Sequence, residues 1–321
     1  MNVRSYLWMT ALACSSLSIG QVGQGLKGRL ENVPPILRMA ILKMPVLRYS
    51  GTRSVEIQEG PNRERHIEYV LRDGPRTRTW FPNDSPYAGQ VIVEARNDRR
   101  HYVPGKNEIH IGPARREEAF QRLLGLLKRN ILKFNTSDGG QVAGHATTLV
   151  SASDNGNPVQ KLWIDRSTGM VLRRELYDMV GAKVGAYEFS EIDYTPTIAP
   201  DAFTMTRKGA RTVTSYDEAR DLARINGFQA AILPESETYR LETTRVLKNA
   251  RIPILHQTYG RPGAMISLFQ ARGTVDLPML KRPRKGDTES FTWGMGGNTF
   301  ALIGNVPADE LRRLARVLGL K

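Results

Sequence analysis

The chain has 321 residues, 40% of them hydrophobic and 24% charged, and a formal net charge of +14. This is enough polymer for two domains that each bury a core, and the composition excludes a disordered chain. The positive excess favours anionic partners, but Lys and Arg are dispersed rather than gathered in a stripe with aromatics, which argues against nucleic acid.

The N-terminus reads as an export signal. Arg4 precedes an uncharged stretch from Ser5 to Ile19, and Ser18-Ile19-Gly20 offers small residues where a signal peptidase reads, so residues 1–20 are expected to be cleaved before Gln21. Cys14, the single cysteine, sits in Ala11-Leu12-Ala13-Cys14. Lipid anchoring there is the alternative, weakened by Ala11 where Leu is usual. One cysteine allows no intrachain disulfide. The expected location is periplasmic or otherwise extracytoplasmic.

Residues 33–46 predict a short helix, opened by Pro34 and Pro35 and stopped by Pro45, with Ile36, Met39, Ala40 and Lys43 on one face. The period then changes to two. Leu47, Tyr49, Gly51, Val55 and Ile57 alternate with polar residues, with Arg53 out of place on the apolar side; Ile67, Tyr69 and Leu71 continue the alternation. Short strands follow around Arg76–Phe81, Gln90–Ala95, Arg99–Val103 and Glu108–Ile111, separated by turn residues. Residues 113–131 return to helical spacing, with Phe120, Leu123, Leu124, Leu127 and Ile131 on one stripe. Strands resume at Gln141–Ser151, Gln160–Asp165, Met170–Tyr177 and Val184–Ile192, with a tight hairpin turn at Asp165–Gly169. This first part has about nine strands and two helices and ends near Phe203.

A second unit opens with a helix from Ser215, where Ser215 and Glu218 have capping-box spacing. Strands at about 239–247, 254–260, 264–270, 289–295 and 298–304 follow, then a helix after Pro307 carrying Leu311, Leu314, Ala315 and Leu318. The predicted fold class is α+β: a curved antiparallel half-barrel sheet with helices on its concave face, plus a smaller C-terminal α+β domain. If the helices leave the concavity unfilled, an apolar groove remains, lined by Val55, Ile57, Tyr69, Leu71, Trp80, Phe120, Leu124 and Leu127; if they pack tightly, those residues are core.

Residues for chemistry are sparse. His66, His101, His110, His145 and His256 form no His-x-x-x-His pair, although His101 and His110 could meet across a hairpin. No nucleophile elbow is present, and Gly294-Met295-Gly296-Gly297-Asn298 lacks the Lys-Ser/Thr of a phosphate loop and reads as a turn. Glu175, Asp178, Glu188 and Glu191 lie on neighbouring strands, where solvated carboxylates are ordinary. No enzyme activity, cofactor or metal is expected. Lys281, Arg282, Arg284 and Lys285 form a basic loop around Pro283, either simply solvated or a docking site for an acidic partner.

Certain ordered motifs resemble a known family. The helix ending Met44-Pro45-Val46-Leu47, followed by Arg48-Tyr49-Ser50-Gly51-Thr52, resembles the opening of the RseB/MucB family of envelope-stress regulators. So do Gly140-Gln141-Val142-Ala143-Gly144-His145-Ala146, Leu162-Trp163-Ile164-Asp165 and Thr168-Gly169-Met170-Val171-Leu172-Arg173. The Trp-x-Asp-x-x-Thr-Gly hairpin is similar to those of the wider LolA and LolB lipoprotein carriers. The resemblance covers roughly residues 30–204. A weaker likeness to the small C-terminal domain of RseB-like proteins covers parts of 205–321 (Glu218-Ala219, Gly227-Phe228, Leu233-Pro234, Gly297-Asn298), and 271–290 does not fit it.

The resemblance implies a half-barrel closed by helices around an apolar cavity for acyl lipid or lipoprotein. For the regulators it also implies a partner, the periplasmic domain of a membrane anti-sigma factor. The carriers use an arginine on an early strand, for which Arg76 and Arg78 are the nearest equivalents. Regulator and carrier both remain open, and the second domain favours the regulator.

Overall fold

The computed structural model describes residues 33–43, 46–59, 62–95, 98–114, 132–178, 180–229, 231–247, 252–261, 263–274 and 288–319. The export segment, Cys14, nearly all of the second predicted helix and the basic loop lie outside the described residues.

Helix α1 (Pro35–Lys43) buries Leu37, Ala40 and Ile41, a spacing of three and four that makes one stripe. The inward face is therefore turned from the expected one: Ile36 is half-buried and Lys43 exposed. Twelve strands follow: β1 (Arg48–Glu59), β2 (Asn62–Asp73), β3 (Arg76–Trp80), β4 (Val91–Ala95), β5 (Asp98–Val103), β6 (Glu108–Pro113), β7 (Leu132–Val142), β8 (His145–Asp154), β9 (Asn157–Asp165), β10 (Val171–Tyr177), β11 (Lys183–Asp193) and β12 (Arg211–Thr214). They form one sheet in the order β12-β6-β5-β4-β3-β2-β1-β11-β10-β9-β8-β7. Sequence neighbours pair as antiparallel hairpins, and β1 meets β11 with Ser50 opposite Asp193.

The predicted strand Gln141–Ser151 is instead cut by a turn. Ala143 and Gly144 both have positive φ, 49° and 78°, the geometry of a two-residue hairpin loop that matches strand twist. β7 precedes this loop and β8 follows it. Asp165 pins the β9–β10 hairpin. Its carboxylate accepts from Ser167 N and Oγ (both 2.7 Å), from Thr168 N (3.3 Å) and from the Tyr194 hydroxyl (2.7 Å).

The first core lies between α1 and the sheet. Leu37, Ala40 and Ile41 meet Tyr49, Val55, Val150, Leu162, Ile164, Leu172, Tyr187 and Phe189. The hairpin comes so close to α1 that a Cβ on Gly169 would lie 3.1 Å from Met39.

The remaining elements are α2 (Ser215–Ile225), β13 (Arg240–Leu247), β14 (Ile254–Arg261), β15 (Ala264–Arg272), β16 (Glu289–Met295), β17 (Asn298–Gly304) and α3 (Ala308–Val317), with the five strands ordered β13-β14-β15-β17-β16. The capping box falls one residue earlier than expected: Thr214 is the cap, and it exchanges hydrogen bonds with Asp217. Tyr216 and Ala219 from α2, with Leu311, Leu314 and Ala315 from α3, pack with Tyr259, Ile266, Leu268, Phe300 and Leu302. The chain divides into two units. One comprises the chain to Ile109 with Ala114–Ala210, and the other comprises His110–Pro113 with Arg211–Lys321.

Candidate ligand-binding site

Residues opposite one another in antiparallel strands point to the same face, so the registers define what lies under α1. One row runs Thr136, Val150, Leu162, Arg174, Tyr187, Val55, His66 across seven strands. Its neighbour runs Phe134, Ala152, Gln160, Leu176, Gly185, Ile57, Glu64. From β7 to β11 this face is mostly apolar; from β2 to β5 it carries His66, Glu68, Arg72, Thr77, Thr79, Glu94, Arg99 and His101, all buried.

The charged half has a defined centre. Arg53, 1% exposed, donates from Nε to Glu68 Oε1 at 2.6 Å, and His66 Nε2 lies 3.7 Å from the other Glu68 oxygen. The guanidinium also sits over the Tyr187 ring (5.0 Å) and the Phe189 ring (5.7 Å). Burial alone would raise the Glu68 carboxyl; the Arg53 charge and the His66 contact outweigh it and hold the group below its ordinary value. Farther along, Glu94 lies 3.7 Å from Arg99, and His101 bonds Gln90 at 2.8 Å.

At the other end, the start of α1 and the edge strands leave a cleft of about 580 Å³, lined by Val33, Pro34, Pro35, Ile36, Leu132, Phe134, Thr136 and Thr148. The volume is in the range of small-molecule sites. Its walls mix apolar side chains with backbone groups and two threonine hydroxyls, so it offers both apolar contact and hydrogen-bond partners to a ligand.

The expected lining residues divide between the two faces. Val55 is in the core under α1, and Ile57 is half-buried between that core and the cluster of Phe81, Tyr87 and Ile92. Tyr69, Leu71 and Trp80 lie on the opposite face, because Tyr69 pairs with Thr52 and Trp80 while His66, Glu68, Val70 and Arg72 turn inward. The apolar phase of β2 is the outer one, since on the inner phase Glu68 is neutralised by Arg53 of the neighbouring strand and Arg72 donates to the Gly74 carbonyl. Phe120, Leu124 and Leu127 lie outside the described residues, as do Lys281, Arg282, Arg284 and Lys285. Ile36, expected on the inward face of the first helix, lines the cleft, whereas Leu132 and Phe134 were not expected there; the period of two in Leu132, Phe134 and Thr136 was the available signal.

Arg76 and Arg78 are also on the outer face, Arg76 over the Phe203 ring at 4.7 Å and Arg78 donating to Ala202 O at 2.9 Å. The possible histidine pair separates: His101 bonds Gln90, and His110 bonds Glu218. Among the described residues no cluster of three His, Cys, Asp or Glu could hold a metal ion. Also among them, no helix is long and apolar enough to cross a membrane. The motif segments do converge: His145 Nδ1 is 3.3 Å from Asp165, and Arg166 N donates to Ala146 O at 3.1 Å.

No protein-family model and no curated protein matches the chain. Solved structures do. A LolA superfamily protein from Nitrosomonas europaea matches at 11% identity and a TM-score of 0.28, covering 53% of this chain and 96% of that one. MucB in complex with MucA(peri) matches at 16% identity and a TM-score of 0.42, covering 87% of this chain and 96% of that one. The MucA/MucB complex of Pseudomonas aeruginosa gives 14% identity, the same TM-score of 0.42, and coverages of 87% and 95%. These are the two groups that the sequence motifs resemble.

Proposed function

We propose that this is a non-enzymatic, exported envelope protein that holds a lipid-like or peptide ligand in the cleft between α1 and β7–β8. The role that fits best is an RseB-like regulator of extracytoplasmic stress signalling, which binds the periplasmic domain of an anti-sigma factor. The observation that carries the binding role is the cleft itself: a concavity walled by Ile36, Leu132 and Phe134 beside the first core. The separate second unit with its own core favours a regulator, which needs a further protein-binding surface. The alternative is a LolA-like carrier of lipid or lipoprotein.

The test is saturable binding of a fluorescent fatty acid to delipidated protein. Each methylene buried contributes about 0.8 kcal/mol before ordering costs, so a half-inserted acyl chain already gives measurable affinity. Phe134→Glu is expected to abolish binding, and Leu71→Glu, on the outer face, to leave it unchanged. No saturable binding by the wild type would remove the proposal. Transfer of bound lipid to acceptor vesicles would favour the carrier over the regulator.

A further inference from the structure

The cleft lies at the end of the sheet. β7 is the terminal strand, hydrogen-bonded to β8 on one side, and among the described residues no strand lies on its other side. Its register with β8 is regular from Leu132 to Asp138 and breaks only before Gln141. Lys133, Asn135, Thr136, Ser137 and Asp138 are exposed. Folded proteins usually protect such an edge with proline, inward charges, a covering element or an early bulge. Leu132 to Ser137 has no proline and one lysine, and its bulge comes after this stretch. Alternate residues of the strand therefore aim their N–H and C=O groups outward, in a row that nothing in the described sheet pairs.

The side chains of this edge are ordered by face. Leu132, Phe134 and Thr136 point under α1 and form a wall of the cleft. Lys133, Asn135 and Ser137 point the other way and make a polar row with one cation. A strand added about 4.8 Å from β7 would place every second side chain in the cleft and the others beside that polar row. An acyl chain would use the apolar wall and leave the backbone row unused, whereas an extended peptide uses both.

We infer that the cleft and the β7 edge together form a strand-addition site for an extended peptide whose apolar residues alternate with acidic or small polar ones. This deepens the proposed function and rests on its reading of the cleft as the ligand site. Main-chain hydrogen bonds to β7 supply affinity, and the cleft selects the phase of the alternation.

The test uses the full delipidated chain and a fluorescein-labelled peptide, Ser-Val-Asp-Phe-Ser-Val-Asp-Phe, read by anisotropy. A control peptide of the same composition gathers its apolar residues in one block. Two further peptides carry backbone N-methyl groups on alternate residues, one in each phase, and dodecanoate serves as competitor. The alternating peptide is expected to bind at least about tenfold tighter than the block peptide, and N-methylation in one phase alone to weaken it by about tenfold or more. Phe134→Glu should remove peptide binding, with circular dichroism confirming that the variant is folded because Phe134 also packs against the first core; Thr136→Lys, at an exposed position of the cleft, should weaken the peptide by about tenfold while leaving the thermal melt in place. Equal binding of alternating and block peptides, or equal effects of the two methylation phases, would overturn the inference. Dodecanoate binding without peptide binding overturns the inference but leaves the lipid reading standing. Binding of neither removes the cleft as a ligand site as well.

Discussion

Replacing Glu68 by Leu tests whether the charged half of the α1 face is held by the Arg53–Glu68 pair. Arg53 is 1% and Glu68 5% exposed, so the substitution leaves a guanidinium in the interior without its carboxylate. Breaking a buried pair in this one-sided way costs about 3–5 kcal/mol. For a unit of this size about 2–4 °C accompanies each kcal/mol, so the melting temperature should fall by roughly 6–20 °C. The double variant Arg53→Met, Glu68→Leu removes both charges and fills the space with apolar groups; it should recover most of the loss, because a well-packed apolar pair is often as stable as the ion pair it replaces. Urea and thermal unfolding of the full chain, followed by circular dichroism, measure all three proteins. A Glu68→Leu protein within about 1 kcal/mol of wild type would refute the reasoning, because a cost that small belongs to an exposed ion pair.

Acid acts on the same pair. The Arg53 charge and the His66 contact outweigh burial and keep the folded Glu68 carboxyl below its ordinary 4.5, so its stabilisation is full above that value and lost as pH falls through the folded value. Urea midpoints measured down the acid range should fall more steeply in wild type than in the double variant, where Asp165 and Glu175, also held below their ordinary values, still contribute. His256 is opposite in charge but loses stability in the same direction. Burial, then the nearby Arg245, lowers its pKa from 6.5 to about 4, so the unfolded chain takes up the proton first and the second unit loses stability as pH falls from 6.5 towards 4. His256→Phe should flatten that part of the pH profile. Gly51→Ala should destabilise the protein by about 1–3 kcal/mol in the same unfolding assay, because the added Cβ would lie 2.5 Å from the Glu191 carbonyl oxygen across the β1–β11 pair.

The second unit was legible nearly to the residue, because its strands are bounded by glycine, proline and asparagine and its last helix shows an unbroken Leu311, Leu314, Ala315, Leu318 stripe. The first unit was legible as a meander but not in its lining. In β2 the pattern offers two phases, Ile67-Tyr69-Leu71 and His66-Glu68-Val70-Arg72, and hydrophobicity chooses the first. The fold buries the second, because Glu68 finds Arg53 on the neighbouring strand, a pairing that no window of consecutive residues contains. The misplaced Arg53 in β1 was the visible trace of it. β7 was missed because Asn135, Thr136, Ser137 and Asp138 read as loop residues; an edge strand half open to water needs few apolar residues to hold its place.

The β1–β11 seam sets an order for folding. Every other pairing inside the first unit joins strands adjacent in the chain, so β1 to β6 and β7 to β11 can each zip from local hairpins as they emerge. The seam closes a loop that contains nearly the whole unit and must wait for the last strand. Until then β1 and β11 are both open edges, the condition that invites misassembly. A chain nicked between Ala114 and Leu132 should still assemble from its two halves, since β1 and β11 lie on opposite sides of the cut and hold each other across it.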